Sequence, residues 1–576
     1  MGVIAGLSLV VAASIPFRDV IVGDPDIPSR VPAVFPATWR YPAGAHATFA
    51  QHAMVASDSR IASEVGVQVM KQGGNAVDAA VATGFALAVA YPEAGNIGGG
   101  GYMVIRMADG RVATLDYRET APLAATRTMY VGPDGKVNGE SVIGPKASGV
   151  PGSVAGMLEA HRKFGALPLA KVMAPAIKLA ADGFVIDSTF VRSLNGDRYR
   201  IEGFDGKAVF FPNGAPLQIG SRFAQPALAH TLRLIADSGA VVFYRGSIAD
   251  SIAAHMKRAG GLITKEDLAR YRAIWRTPIR SSYRGYGLIA MPPSSSGGTT
   301  VTEMLQILEA YGPAEKFGSA ERVHAVASAS QRAFVDRNSK LGDPAFVNVP
   351  ISTLTSKTYA RAVARTISRT HADPTTGIAA LSEGSETTHY SVVDSHGNAV
   401  ATTTTLNDLY GSGVYVSGAG FFLNDEMDDF TSKPGVPNMY GLIQGEANAI
   451  APGKRMLSAM SPTIVLDPKG NVLLVLGARG GPRIISATAQ VILDVIDHRM
   501  SIADAMSAPR IHHQSLPDSI RLENGGFDSA TIARLHQMGH TTFELFGIAS
   551  AEAIMRVKGG YQGMPDPRSR GAAVGF

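Results

Sequence analysis

The sequence predicts an α+β protein, because helix-forming and strand-forming segments concentrate in different parts of the chain. The region from about Gly144 to Asp373 carries helix caps and helical patterns such as ITKEDLARY. The last third is dominated by apolar strands and tight turns. This separation is typical of the α+β class, in which helices cover one side of a sheet.

The composition is that of a globular protein, and it excludes several functional classes. The chain has 576 residues, of which 45% are hydrophobic and 18% charged, with a net charge of +5. The basic residues are scattered, so we expect no nucleic-acid partner. Because cysteine is absent, disulfides, thiol catalysis and cysteine-rich zinc sites are excluded.

The N-terminus resembles a secretory signal. The apolar run Val3–Ala13 is too short to span a bilayer, and Val11 and Ala13 fit an A-x-A-like cleavage pattern. No Lys or Arg precedes the run, so an apolar N-terminal strand is the alternative. We expect a signal peptide over residues 1–13, a periplasmic or secreted location, and no stable membrane span.

Residues 14–52 are rich in proline and predict an extended surface arm, with ordered structure from near Ala53.

Two helices are predicted next. Ser57-Asp58 can cap the first, which Gly73-Gly74 ends. Asn75 caps the second, AVDAAVATGFALAVA, which is apolar nearly all round and is therefore expected to be buried.

A glycine run, AGNIGGGGYM, follows the second helix and enters a strand. A dinucleotide-binding loop needs the order strand, glycines, helix, so this run does not fit one. Two strands are predicted here, joined by a turn at Ala108–Gly110.

The segment THYSVVDSHGNAVATTTTL predicts a β-hairpin closed by a three-residue loop at Ser395–Gly397. In that register Val393 faces Ala399, and Thr387 faces Thr405. Threonines directly opposite one another on neighbouring strands can share a hydrogen bond.

Thr387 is a candidate nucleophile. A threonine hydroxyl needs an adjacent base, and a threonine at a chain terminus can use its own α-amine, which titrates near neutral pH. That amine exists in this chain only if the bond between Glu386 and Thr387 is cut. The sequence therefore raises the hypothesis of a precursor that cleaves itself.

Two further segments fit acyl transfer. The strand NVLLVLGAR is followed by Gly480-Gly481 and a helix with Pro482 in its first turn, so the glycine N–H groups could stabilise an oxyanion. An ordinary strand-to-helix turn is the alternative. In NDEMDDF, Glu426 and Asp429 lie on one face of a helical turn. They could bind a metal or an ammonium group, and the absence of a calcium-loop pattern favours the ammonium.

Histidines offer weaker candidates. The pair His512-His513 points to opposite faces of a strand and lacks a third ligand, so we interpret it as structural and expect no metal site. His389 lies on the same face as Thr387 but several ångströms away, and we interpret it as a packing residue.

Long motifs make the chain resemble the γ-glutamyltranspeptidases (glutathione hydrolases) from about Ala53 to Phe576. They include GGNAVDAAVATGFALAV, LDYRETAP, MPPSSSGG, TTHYSVVD, FFLNDEMDDF and DPRSRGAAVGF. The resemblance implies a four-layer αββα N-terminal-nucleophile hydrolase fold. It also implies cleavage into a large subunit (53–386) and a small catalytic subunit (387–576).

The resemblance also implies roles for single residues. Thr387 looks like the nucleophile and Thr405 like its hydroxyl partner, with Gly480 and Gly481 as the oxyanion hole. The substrate α-carboxylate is expected at Arg118 and Ser458, and Tyr440 is expected at the tip of a lid loop spanning Pro437–Lys454. The groups expected around the substrate α-amine are Asn407, Glu426 and Asp429. The family's second adjacent serine is replaced here by Ala459.

The implied reaction transfers a γ-glutamyl group from glutathione or a similar donor to water, an amino acid or a peptide, with no cofactor. An acylase of glutaryl or cephalosporin-type amides is the alternative within the same fold. An unprocessed binding or scaffold protein is the alternative outside enzymes.

Overall fold

The computed structural model describes residues 30–375 and 387–576. The predicted signal peptide over 1–13 and residue Glu386 lie outside the described residues.

Most described strands belong to two seven-stranded antiparallel sheets, and three small sheets hold the others. The strands are β1 (Thr48–Ala50), β2 (Met54–Ser57), β3 (Gly100–Arg106), β4 (Val112–Asp116), β5 (Phe184–Val185), β6 (Arg222–Phe223), β7 (Ile274–Arg276), β8 (Ile279–Tyr283), β9 (Tyr286–Ala290), β10 (Thr388–Val393), β11 (Ala399–Thr405), β12 (Tyr415–Val416), β13 (Phe421–Phe422), β14 (Thr463–Leu466), β15 (Val472–Arg479), β16 (Ile511–His512), β17 (Ile520–Glu523), β18 (Thr542–Leu545), β19 (Ser550–Val557), β20 (Gly560–Pro565) and β21 (Ala572–Gly575).

None of the helices within 30–375 and 387–576 has the length and apolar character needed to cross a bilayer. The α-helices are α1 (Arg60–Lys71), α2 (Ala76–Ala90), α3 (Ser153–Phe164), α4 (Leu169–Asp182), α5 (Ser188–Gly196), α6 (Arg198–Glu202), α7 (Lys207–Phe210), α8 (Pro226–Ser238), α9 (Ala240–Tyr244), α10 (Ser247–Ala259), α11 (Lys265–Arg270), α12 (Gly297–Tyr311), α13 (Ala320–Lys340), α14 (Ile351–Leu354), α15 (Lys357–Ala364), α16 (Arg483–Ile496), α17 (Ile502–Ser507) and α18 (Ser529–Gln537). Short 3₁₀ turns occupy Gly139–Ser141, Pro145–Ala147, Pro212–Gly214, Glu426–Asp429 and Glu446–Asn448.

The two large sheets stack face to face between helical layers. One sheet has the strand order β21-β2-β10-β11-β3-β4-β7, and the other has the order β1-β20-β19-β15-β14-β9-β8. Strands β10 and β11 pack against β15 and β19 across the sheet interface. Helices α1 and α2 pack on the first sheet, and α12 and α16 pack on the second. The predicted four-layer αββα arrangement is thereby confirmed.

The helix predictions hold with one correction at a cap. Helix α2 begins after Asn75, whose side chain accepts hydrogen bonds from two backbone N–H groups, and residues 76–89 are buried as predicted. Helix α1 is capped by Ser59 rather than by Ser57-Asp58. Ser57 ends strand β2, and the Asp58 carboxylate accepts a hydrogen bond from Thr388 instead.

The hairpin formed by β10 and β11 has the predicted register. Thr388 pairs with Thr404 and Val393 pairs with Ala399. Gly397 closes the loop with φ +86°, a conformation that glycine adopts without strain. This register places Thr387, one residue before β10, next to the end of β11.

The N-terminal arm packs against the rest of the protein more closely than the sequence predicts. Strand β1 pairs with β20, so ordered structure begins before Ala53. Trp39 is buried, and its indole N–H donates a 2.8 Å hydrogen bond to the carbonyl of Ser507. The prediction of a surface arm is therefore wrong for the part around Trp39, because this side chain packs into the protein. Residues 30–52 contain turns and strand β1 and no helix.

Candidate active site

Thr387 opens into a small buried cavity. It lies directly before β10, in the middle of the first sheet, and only 4% of its surface is exposed. The cavity has a volume of about 20 Å³, which is room for about one or two water molecules. The lining residues are Arg118, Arg337, Thr387, Thr405, Asn407, Asp429, Tyr440, Leu442, Ser458, Ala459, Met460, Gly481, Pro482 and Ile484.

The cavity brings together eight of the ten residues that the sequence assigned to catalysis or substrate binding. Gly480 and Glu426 do not line it. Gly480 precedes the lining residue Gly481, and Glu426 forms an ion pair with the lining residue Arg118. The lining residues missed by the sequence analysis are Arg337, Leu442, Met460, Pro482 and Ile484. Arg337 lies in an ordinary-looking helix, so no local pattern marks it.

Thr405 is held in place at the end of β11. Its hydroxyl accepts a 2.8 Å hydrogen bond from the backbone N–H of Asn407, and its carbonyl accepts one of 3.0 Å from the Asn96 side chain. Asn407 has φ +86°, in the left-handed region, which turns the chain sharply after β11. The Asn407 side chain donates to the carbonyl of Asp425, so the turn after the strand is fixed at both ends.

A buried carboxylate supports the start of β10. The Thr388 hydroxyl donates a 2.9 Å hydrogen bond to Asp58, and Nε of Arg479 lies 3.2 Å from the other carboxylate oxygen. Burial raises the pKa of Asp58, and the Arg479 guanidinium opposes that rise. Asp58 thus connects the residue after Thr387 with the residue before Gly480. No local sequence pattern marks this contact, because Asp58 lies 330 positions from Thr388.

Gly480 and Gly481 form the turn between β15 and α16. Their φ angles are +127° and +57°, both in the region that favours glycine. Pro482 is the N-cap of α16 rather than a residue of its first turn, so the helix begins one residue later than predicted. Neither glycine N–H donates to a backbone carbonyl of the described residues. Two N–H groups at a helix N-terminus are suited to negative charge.

Arg118 lies among three buried carboxyl groups. Its Nη1 is 2.6 Å from Glu426 and 3.6 Å from Glu119, and its Nη2 donates to Asp429. Burial alone lowers the pKa of Arg118, but these carboxylates outweigh burial and raise it above the ordinary value. Burial raises the pKa of Glu426, Asp429 and Glu119, and the guanidinium only partly offsets that rise.

Acidic groups outnumber basic groups around Arg118. Three carboxyl groups face its guanidinium, and Oε1 of Glu426 is buried without a hydrogen bond from the described residues. An ammonium group placed here would favour the ionised form of these carboxyl groups. Glu426 and Asp429 do lie on one face of a 3₁₀ turn, as their spacing predicted. Within 30–375 and 387–576, no cluster of three or more His, Asp or Glu residues could hold a metal ion.

Ser458 and Ala459 border the cavity on a rigid backbone. The Ser458 N–H donates to the carbonyl of Ser294, and the Ser458 carbonyl accepts from both the N–H and the hydroxyl of Ser296. The hydroxyl of Ser295 donates to the carbonyl of Met460, so the three serines of MPPSSSGG together fix the segment that carries Ser458. The side chain of Ala459 reaches the cavity as a methyl group, so it offers no hydrogen bond.

Tyr440 covers the cavity. Its hydroxyl donates a 2.8 Å hydrogen bond to the carbonyl of Asn407, and the residue is 3% exposed. A Cβ atom on Gly481 would lie 2.8 Å from the Tyr440 ring, so only glycine permits this approach. The side chain of Gln514 holds the carbonyl groups of Tyr440 and Gly441.

The histidines occupy structural positions. The ring of His389 is bonded to the hydroxyls of Thr403 and Ser391, and it does not line the cavity. Burial lowers the pKa of His389 to about 3, so the ring is neutral at physiological pH. His512 is bonded to Ser486 and Gln514. His513 interacts with Asp518 at 3.2 Å.

Comparison with solved structures identifies proteins that share this fold. The chain is similar to a cephalosporin acylase from Bacillus halodurans, with a TM-score of 0.82 and 28% identity over 94% of this chain and 99% of that one. It is also similar to a γ-glutamyltranspeptidase from Helicobacter pylori, with a TM-score of 0.55 and 42% identity over 57% of this chain and 95% of that one. The fold and the site define an N-terminal-nucleophile hydrolase.

Sequence comparisons identify the family within that class. The family model for gamma-glutamyltranspeptidase matches residues 62–576. A glutathione hydrolase proenzyme from Escherichia coli (strain K12) is 46% identical over 91% of this chain and 92% of its own length. An acylase ACY 1 proenzyme from Pseudomonas sp. (strain SE83) is 41% identical over 80% of this chain and 82% of its own length. The chain belongs to the γ-glutamyltranspeptidase family.

Proposed function

We propose that this protein is a γ-glutamyltransferase and glutathione hydrolase whose nucleophile is Thr387. One observation carries the proposal: Thr387, Thr405, Arg118, Asp429 and Gly481 line the same buried cavity. Such a cavity offers a nucleophile, a hydroxyl partner, charged groups for an amino-acid head group and a backbone donor for an oxyanion.

The first step is self-cleavage of the precursor. The Thr387 hydroxyl attacks the carbonyl carbon of Glu386, the C–N bond breaks, and the nitrogen takes up a proton to become a free α-amine. Water then hydrolyses the resulting ester, which restores the Thr387 hydroxyl and leaves a carboxylate on Glu386. The position of Thr387 directly before β10, with Thr388 bonded to Asp58, holds the nucleophile in place for this step.

The catalytic cycle is a ping-pong acyl transfer. The α-amine of Thr387 takes the proton from its own hydroxyl as the oxygen attacks the γ-carbonyl of the donor. The N–H groups of Gly480 and Gly481 stabilise the negative oxygen of the tetrahedral intermediate. The amine then gives the proton to the leaving nitrogen, which for glutathione releases cysteinylglycine. Water or an amino-acid amine attacks the acyl-enzyme in the same way.

Charged groups beside the nucleophile recognise the amino-acid end of the donor. The carboxyl groups of Glu426 and Asp429, with the Asn407 side chain, bind the α-ammonium group, whose charge favours their ionised form. Arg118 and Ser458 bind the α-carboxylate. Tyr440 covers the bound donor, and its segment moves to admit the water or amine acceptor. No cofactor takes part in this scheme.

An acylase of glutaryl or cephalosporin-type amides is the second candidate. A cephalosporin acylase shares this fold at 28% identity, and an acylase ACY 1 proenzyme is 41% identical to the chain. Glutaryl donors lack the α-amine, so they bring no ammonium group to the carboxyl groups of Glu426 and Asp429. We expect kcat/KM for L-γ-glutamyl-p-nitroanilide to exceed that for glutaryl-p-nitroanilide at least tenfold. A preference for the glutaryl compound would establish the acylase instead. A single full-length band with no turnover of either donor would establish an unprocessed binding or scaffold protein.

The subunits and the location form part of the proposal. Self-cleavage yields a large subunit ending at Glu386 and a small subunit beginning at Thr387, and the two stay together because β10 pairs with β2 from the other fragment. Export through a signal peptide over residues 1–13 places the enzyme in the periplasm or outside the cell. Small γ-glutamyl compounds and amino-acid or peptide acceptors are its partners. Fractionation of expressing cells, with and without residues 1–13, tests the location.

A further inference from the structure

Arg337 places a second guanidinium in the cavity of Thr387. It belongs to α13, lines the cavity and is 1% exposed. Its Nε donates to the hydroxyl of Ser296 at 2.9 Å, and its Nη1 donates to the side-chain oxygens of Asn338 and Gln444 at 2.8 and 3.2 Å. All three acceptors are neutral groups.

The charge of Arg337 has no ion-pair partner in the described part of the chain. Its hydrogen bonds use Nε and Nη1, and no acceptor among the described residues bonds Nη2. Burial lowers the pKa of Arg337 to about 10, and Asp429 is the carboxylate that opposes this shift. Burying a cation without a paired anion is costly. Such an arrangement is explained if an anionic ligand completes it.

Arg118 presents the opposite situation. It already interacts with Glu426, Asp429 and Glu119, so much of its charge is neutralised before a substrate arrives. A substrate carboxylate at Arg118 must compete with these three groups. Arg337 offers an uncommitted charge in the same cavity.

Arg337 is also linked to the segment Ser458-Ala459, in which alanine replaces the second serine expected from the resemblance. The Ser296 hydroxyl that accepts from Arg337 itself donates to the carbonyl of Ser458 at 2.6 Å. Ser458 precedes Ala459, which lines the cavity with a methyl group. Arg337 also contacts the predicted lid loop, because its hydrogen-bond acceptor Gln444 lies within the segment Pro437–Lys454.

We propose that Arg337 binds the α-carboxylate of the donor through Nη2, supplying a contact that residue 459 cannot make in this chain. The inference rests on the proposed function, since it concerns the same donor. Ser296 and Gln444 position the guanidinium, so the lid contributes to carboxylate recognition. Arg337 then acts together with Arg118 and Ser458 on the same carboxylate.

The test compares three p-nitroanilides that differ only in the head group. The L-γ-glutamyl donor carries both the α-amine and the α-carboxylate, the glutaryl donor lacks the amine, and the 4-aminobutyryl donor lacks the carboxylate. The readout is the ratio of kcat/KM for the L-γ-glutamyl donor to kcat/KM for the 4-aminobutyryl donor. This ratio measures recognition of the carboxylate and cancels general damage to the catalyst.

Arg337→Met is expected to lower this ratio at least tenfold, mainly through KM of the L-γ-glutamyl donor. Arg337→Lys keeps a cation and is expected to lose less, about threefold. The matched control is Arg322→Met, which removes a guanidinium from the same helix where it is paired with Asp494 outside the cavity. The control is expected to keep the wild-type ratio.

Three results separate the possible failures. If the Arg337→Met and Arg337→Lys enzymes keep the wild-type ratio, the inference is wrong, although the proposed function stands. If wild type does not turn over the L-γ-glutamyl donor, the proposed function itself fails. If Arg337→Met does not self-cleave, Arg337→Lys decides the question with the same ratio. In addition, Ala459→Ser in the Arg337→Met background is expected to regain at least threefold in the ratio, and no gain would contradict the link to residue 459.

Discussion

The hydroxyl of Thr388 donates a hydrogen bond of 2.9 Å to the buried carboxylate of Asp58. Asp58 belongs to the predicted large subunit, and Thr388 immediately follows the predicted nucleophile. The same carboxylate lies 3.2 Å from Arg479, next to the proposed oxyanion hole. One buried side chain thus contacts both the residue after the proposed nucleophile and the residue before the proposed oxyanion hole.

We expect Thr388→Val to slow self-cleavage about tenfold. The substitution preserves the shape of the side chain but removes a hydrogen bond to a charged group, worth about 1.5–3 kcal/mol. Thr388→Ser keeps the hydroxyl and is the matched control, with cleavage close to the wild-type rate. Denaturing gels of samples taken through the cleavage reaction measure both rates. Equal rates for Val and Ser at this position would show that the contact with Asp58 does not position Thr387.

Asp429→Asn is expected to reduce the preference for γ-glutamyl over glutaryl donors at least tenfold. Asp429 lines the cavity, and its carboxyl group is one of those that we assign to the substrate ammonium. Steady-state kinetics with both p-nitroanilides measure the preference. The neighbouring Asp428→Asn is the control, because Asp428 accepts from Ser141 and Met439 outside the cavity. A similar loss of preference in both variants would contradict the assignment.

Ala459→Ser is expected to lower KM for the γ-glutamyl donor threefold to tenfold with little change in kcat. The new hydroxyl would reach the cavity and donate to the α-carboxylate, and a hydrogen bond to a charged acceptor contributes about 1.5–3 kcal/mol at most here. Ala459→Val, which fills the same space without a donor, is the control and is expected to raise KM. An unchanged KM in Ala459→Ser would place the carboxylate away from residue 459.

The sequence predicted those parts of the fold that local pattern determines. The cap at Asn75, the burial of α2, the register of the β10–β11 hairpin and the positive φ of Gly397 all follow from residues close in the chain. The cap of α1 was assigned to Ser57-Asp58 rather than Ser59 because both serines fit the local pattern. Ser57 is not the cap because it ends strand β2, where it pairs with Tyr390 of β10.

The site was predictable where family motifs carried it and hidden where distant segments meet. Arg118 and Asp429 came from the resemblance, yet their direct ion pair joins residues 311 positions apart and has no local signature. Arg337 was missed for the same reason, because its significance depends on the absence of a carboxylate partner in three dimensions. A single sequence records neither such contacts nor their absence.

The pH dependence of stability offers a test of the neutral state of His389. Its pKa is lowered by burial from 6.5 to about 3, so the folded state favours the neutral ring. This contribution is fully present above about pH 6.5 and is lost as the pH falls toward 3, at about 1.4 kcal/mol per pH unit. In the Thr387→Ala background, the free energy of unfolding should therefore fall more steeply with His389 than with His389→Asn between pH 6 and 4. Parallel curves from urea titrations would show that His389 is not held neutral.

The identity of the first residue of the small fragment tests the central claim most directly. N-terminal sequencing of the purified active enzyme should give Thr387-Thr388-His389, from a fragment of about one third of the 60.3 kDa precursor. The Thr387→Ala chain should remain a single inactive band. An active preparation with an intact chain, or a small fragment that begins at another residue, would contradict the account.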